Sequence, residues 1–119
     1  MANSANVTIY GIKNCDTMKK ARAWLDAHAV AYAFHDYKVA GIERGMLQRW
    51  ARAVGWERLL NRAGTTFRKL PDAAKAGLTE AGALTLMCEQ PSLIKRPVLD
   101  VRGTLIVGFS PETYAEGLR

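Results

Sequence analysis

The sequence predicts one α/β domain, a four-stranded mixed sheet flanked by helices with a helical insertion between strands 2 and 3. Three observations predict it. A β-branched and aromatic run, Val7-Thr8-Ile9-Tyr10, is followed by a helical pattern and a second short aromatic run; about fifty residues then carry helical periodicity with no strand signal; strand signals return only at Val98. With 119 residues, 49% of them apolar, the chain can bury a core as a single domain without disulfide staples.

The first six residues read as a disordered leader, with neither the basic start nor the apolar stretch of a secretory signal. Gly11 breaks the first strand, and Ile12-Lys13-Asn14 leads into a helix from near Cys15 to near His28. Ala21, Trp24, Leu25 and Ala29 recur there at helical spacing. Asn14 is the expected N-cap, and Asp16 in the first turn suits the positive end of the helix dipole. Tyr32 to Tyr37 reads as the second strand, completing a βαβ unit.

From Gly41 to about Gln90 the pattern is helical. Met46, Leu47, Trp50, Ala51 and Val54 share a face, Gly55 is a break, and Trp56 to Leu60 is a short turn of helix. A further helix begins at Thr79, with Ala83, Leu84, Met87 and Cys88 inward, and Gln90-Pro91 closes it. Val98 to Val101, a turn at Arg102-Gly103, and Leu105 to Gly108 form a hairpin. Ser110-Pro111-Glu112 then supplies an N-cap, a proline at the first helical position and an acidic first turn for a closing helix through Leu118.

Composition excludes some classes of function. No apolar run reaches the roughly 18 residues that span a bilayer, so a soluble, cytoplasmic protein is expected, with no membrane partner. Cys15 and Cys88 lie far apart without Cys or His neighbours at ligand spacing, which predicts neither a disulfide framework nor a metal site. The net charge of +6, from 17 basic and 11 acidic side chains, is spread along the chain. No direct nucleic-acid contact is expected, and a small anion is a better match if several of these charges converge.

Cys15 is the candidate for chemistry. A thiol of ordinary pKa is only about 3% thiolate at pH 7, and a lowering of two units makes it roughly three-quarters ionised. The helix start offers unpaired N–H groups, and Lys13, Lys19 and Lys20 lie within about a turn. The alternative is a buried structural cysteine. Met18 makes the motif Cys-x-x-Met, so no disulfide can form within that turn, and resolution of an adduct falls to an external thiol or to Cys88. Cys88, on an apolar helix face, reads as core.

Arg96-Pro97 precedes the third strand. In a thioredoxin-like arrangement this position faces the cysteine helix, and proline there is commonly cis, exposing backbone groups to an extended thiol peptide. Arg96 has the fork to hold a carboxylate or oxyanion, or is an ordinary surface arginine beside a turn. Arg62 and Arg68 bracket Gly64-Thr65-Thr66 as a second basic loop, either folded over the cleft or solvated. His28, ending a helix, and His35, in a strand beside aromatics, read as structural.

The segments TIYGIKNCDTMKKARAWL, YAFHDYKVAGI, GWERLLNRAGTTFRKL and LIKRPVLDVRG with VGFS stand in the order found in the arsenate reductase ArsC/Spx family, and the chain resembles most closely its small YffB-like branch. The resemblance covers Val7 to about Leu118. It implies a thioredoxin-like fold, a nucleophilic cysteine at Cys15, and the family's Arg-Pro at Arg96 and Pro97. In the arsenate reductases, arginines neutralise the oxyanion while glutathione and glutaredoxin complete the reduction. Here Arg62 falls close to the family's loop arginine, one residue out of register, and the third arginine aligns with neutral Gly108-Phe109. One lost charge-assisted contact to a dianion costs ~1.5–3 kcal/mol, which counts against arsenate. Spx-type regulators bind RNA polymerase and commonly sense oxidation through Cys-x-x-Cys, and Met18 removes that switch.

The expectation is a monomeric glutathione-dependent thiol reductase. The Cys15 thiolate is its nucleophile, Lys13, Asn14, Arg62, Arg96 and Pro97 bind substrate or glutathione, and no cofactor or metal is bound. Glutathione or another small thiol is the co-substrate, with glutaredoxin as a further partner. The alternatives are an arsenate reductase coupled to glutathione and glutaredoxin, and a non-catalytic Spx-like regulator that binds RNA polymerase.

Overall fold

In a computed structural model describing residues 7–118, four strands form one mixed sheet in the order β2-β1-β3-β4. They are β1 (Val7–Gly11), β2 (Ala33–Asp36), β3 (Val98–Val101) and β4 (Thr104–Val107). The expected disordered leader, 1–6, lies outside the described residues. β1 pairs parallel with β2, Tyr10 opposite His35 and Gly11 opposite Asp36, and antiparallel with β3, Tyr10 opposite Val98. This register puts the end of β1, the end of β2 and the approach to β3 at one end of the sheet.

Helix α1 (Asp16–Ala27) buries Met18, Ala21 and Leu25, the i, i+3, i+7 stripe of an amphipathic helix. These pack with Val7, Ile9, Leu99, Val101 and Tyr114 as the core over the sheet. Each large apolar side chain so buried contributes about 1.5–3 kcal/mol. Strand β1 reaches close to α1 at Gly11, where an added Cβ would overlap the Met18 sulfur. The β3–β4 turn places Arg102 at φ 52 and Gly103 at φ 93, the paired left-handed geometry of a tight hairpin, and the Asp100 carboxylate accepts from the Gly103 N–H at 2.7 Å.

Helix α8 (Pro111–Gly117) starts as its sequence dictates: the Ser110 hydroxyl accepts from the Thr113 N–H at 3.1 Å, and Pro111 occupies the first helical turn. α8 buries Tyr114, whose ring meets Trp24 and Phe109 edge-on at 5.7 and 4.8 Å.

The chain divides into two compact units, one made of the residues up to Ala40 and from Arg96 onward, the other of Gly41–Lys95. The first holds the sheet, α1, α8 and a four-residue helix α2 (Tyr37–Ala40). The second is helical: α3 (Arg44–Val54), α4 (Trp56–Leu59), α5 (Thr65–Arg68), α6 (Asp72–Lys75) and α7 (Glu80–Glu89). Helix α3 packs against α4 and α7 and buries Leu47, Trp50 and Ala51. Gly55, at φ 90, makes the break between α3 and α4 that a side chain would resist. The Thr79 hydroxyl caps α7 by accepting from the Gly82 N–H at 3.2 Å. An antiparallel bridge between Leu60 and Ile94 closes this unit, with Asn61 N–H to Leu93 O and Lys95 N–H to Leu59 O both at 2.7 Å.

Candidate active site

Cys15 itself takes the N-cap position of α1, in extended backbone at φ −124, ψ 130, with its carbonyl accepting from the Lys19 N–H at 3.0 Å. The expected cap, Asn14, is one residue too early and is exposed. At an N-cap the side chain projects toward the free N–H groups of the first turn, so the residue there is a thiol in contact with amides.

The half-buried sulfur rests on the core of the sheet unit. That burial pushes its pKa up. The Met18 N–H, the Arg96 side chain and the Thr17 N–H each hydrogen-bond to the sulfur and pull the pKa down, the Arg96 charge adds to them, and the result is a thiol below its ordinary value. The expected lysines are not among these groups, and Lys13, Lys19 and Lys20 are all exposed.

Arg96 is half-buried and is followed by a cis peptide bond to Pro97. Pro97 is buried, and its carbonyl accepts from the Gly108 N–H at 2.8 Å, which ties the loop before β3 to the end of β4. Cys15, Arg96 and Pro97 therefore belong to one unit, with the first two in direct contact.

Arg62 belongs to the helical unit, exposed, with its guanidinium 5.8 Å from the Trp56 ring centroid. Arg68 does not extend from a free loop: it ends α5 and donates to the Ala63 carbonyl at 2.9 Å. Cys88 is only half-buried on α7, less enclosed than its place on an apolar face predicts. The His28 ring stacks on Trp24 at 3.8 Å, and its Nδ1 lies 2.9 Å from the Trp24 carbonyl, a structural role at the end of α1. His35 lies between two phenols, 5.0 Å from Tyr10 and 6.2 Å from Tyr37.

Met18 and Tyr37 take places that local sequence pattern alone does not specify. Met18 is fully buried beneath Gly11, so the residue three after Cys15 fills the core. Tyr37, read as the end of a strand, starts α2 and is 1% exposed. An aromatic directly after an aromatic strand was the available signal for it. Among the described residues no group of three or more His, Cys, Asp or Glu side chains could hold a metal ion, and no helix is long and apolar enough to cross a membrane.

Comparison with known proteins points the same way. A model of the ArsC family matches residues 10–117. The solved structure of a protein named YFFB is 61% identical, with a TM-score of 0.92, covering 95% of this chain and 99% of that one. An arsenate reductase (ArsC) related protein from Brucella melitensis is 54% identical with a TM-score of 0.78, over 100% of this chain and 99% of that one. The global transcriptional regulator Spx of Streptococcus pyogenes serotype M6 is 28% identical over 108 residues, 89% of this chain and 80% of that protein.

Proposed function

This chain belongs to the ArsC family, and on that premise we propose that it is a glutathione-dependent thiol reductase with Cys15 as its nucleophile. The observation that carries the proposal is a thiol lowered by two helix amides and Arg96, with a buried methionine where a second thiol would stand. Such a site generates one thiolate and needs an outside thiol to complete a cycle.

In the first step the Cys15 thiolate attacks the glutathione sulfur of a mixed disulfide. A Cys15–glutathione bond forms, the original S–S bond breaks, and the substrate leaves as a thiolate that takes a proton from water. In the second step a further glutathione thiolate attacks that adduct, giving oxidised glutathione and free Cys15. Over the cycle the substrate sulfur leaves with the electron pair of the cleaved S–S bond and one glutathione thiol takes its place in the disulfide, so each S–S bond broken is matched by one formed. Arg96 and the α1 amides stabilise the Cys15 anion on each side of the step, and the glutathione carboxylates are the counterparts of Arg96 and Lys13.

The test is intact mass after incubation with oxidised glutathione from pH 5 to 9, comparing wild type with Cys15→Ser and Cys88→Ser. The expected result is one adduct that needs Cys15 but not Cys88 and forms readily well below pH 8. An adduct formed only above pH 8.5, or one that persists in Cys15→Ser, overturns the proposal.

The similarity to Spx supports a second reading, a regulator that docks on RNA polymerase without thiol chemistry. Polymerase capture that survives Cys15→Ser, with no adduct in the mass experiment, is its signature.

A further inference from the structure

Near Arg96 lies a buried phenol, Tyr37, that the proposed chemistry does not use. Tyr37 follows the end of β2, at the same end of the sheet as Tyr10 on β1 and Arg96 before β3. Its side chain is 1% exposed, and its hydroxyl has no hydrogen-bond partner among the described residues. Burying a hydroxyl without a partner costs free energy, so a packed phenylalanine would serve the core better. The oxygen is kept in a place where its gain must come from something other than packing.

We propose that Tyr37 is a positioning residue for Arg96: its phenol oxygen sits at the base of the site, where its negative end holds the guanidinium in the orientation that meets the Cys15 sulfur. The inference rests on the reading of Cys15 as an activated thiolate.

Burial raises the Tyr37 pKa far above the phenol range, Tyr10 adds to the rise, and Arg96 opposes it. The phenol is therefore neutral at every working pH, a fixed dipole beside a permanent cation. The other titratable groups around it are Tyr10 and His35, whose rings adjoin; Asp36 precedes it in the chain, and its carboxylate accepts from the Lys38 N–H at 2.8 Å. Asp16 and Lys13, beside Cys15, are exposed.

The test follows alkylation of Cys15 by iodoacetamide against pH in a Cys88→Ser background, for the parent, Tyr37→Phe, Arg96→Gln and the double variant. Tyr37→Phe keeps the ring and is expected to leave thermal stability unchanged or raised, since it removes only a partnerless hydroxyl. Its alkylation midpoint is expected to rise by about half a pH unit, about a threefold loss of thiolate below the midpoint. Arg96→Gln raises the midpoint further, and the double variant matches Arg96→Gln alone, because Tyr37 acts through the guanidinium. An unmoved midpoint in Tyr37→Phe, or shifts that add in the double variant, overturns the positioning role alone. A parent midpoint at the ordinary thiol value overturns the activated thiolate and this inference with it.

Discussion

At the scale of the residue, Cys15 shows how few contacts lower the pKa of a thiol. The half-buried sulfur loses hydration, which favours the neutral form, yet two amides and one guanidinium more than restore the anion. A depressed thiol pKa is also a stability statement. Above the unfolded-state pKa the thiolate exists in both states and is better held in the native one, so its contribution is complete there. It fades as pH falls through the lower native pKa, below which both states are protonated. Wild type should therefore gain stability relative to Cys15→Ser as pH rises between those two values, and the difference should be flat on either side. Urea denaturation of both proteins across that window measures it.

At the scale of the element, the clearest parts of the fold were those written in local chemistry. The Ser110-Pro111 start of α8, the Thr79 start of α7 and the Arg102-Gly103 turn all stand where their residues predicted, because each depends on hydrogen bonds and φ values within three or four positions. Replacing Ser110 with alanine leaves the Thr113 N–H unpaired and should cost about 1 kcal/mol, read by chemical denaturation. Less was legible where neighbours in space decide. Four-residue helices such as α5 and α6 carry too few positions for a period to show. The cap of α1 passed from Asn14 to Cys15 although asparagine is the better capping residue, and the placement of Cys15 on the sheet core accompanies that shift. Of the site, Cys15 and Arg96-Pro97 were visible as motifs. The buried Tyr37 was not, since its role depends on β2 lying beside β1 and on Arg96 arriving from the far end of the chain.

At the scale of the whole molecule, the surplus of positive charge bears on rate more than on affinity. With a net charge of +6 the chain attracts a net-anionic disulfide such as oxidised glutathione and repels a cationic one such as cystamine. Salt should slow adduct formation on Cys15 with the first and speed it with the second, because the Debye length falls from about 30 Å at 0.01 M to about 10 Å at 0.1 M. Stopped-flow rates at two ionic strengths decide it; equal responses would mean that the field at Cys15 is set locally. The contact of Gly11 with Met18 reaches in another direction, toward what this scaffold can become. A cysteine at position 18 would give the turn a second thiol but empty the volume that the methionine fills, and a Cβ at position 11 is the small group that would occupy part of it. The one-thiol and two-thiol versions of this site are thus separated by two coupled substitutions, each unfavourable until the other is made.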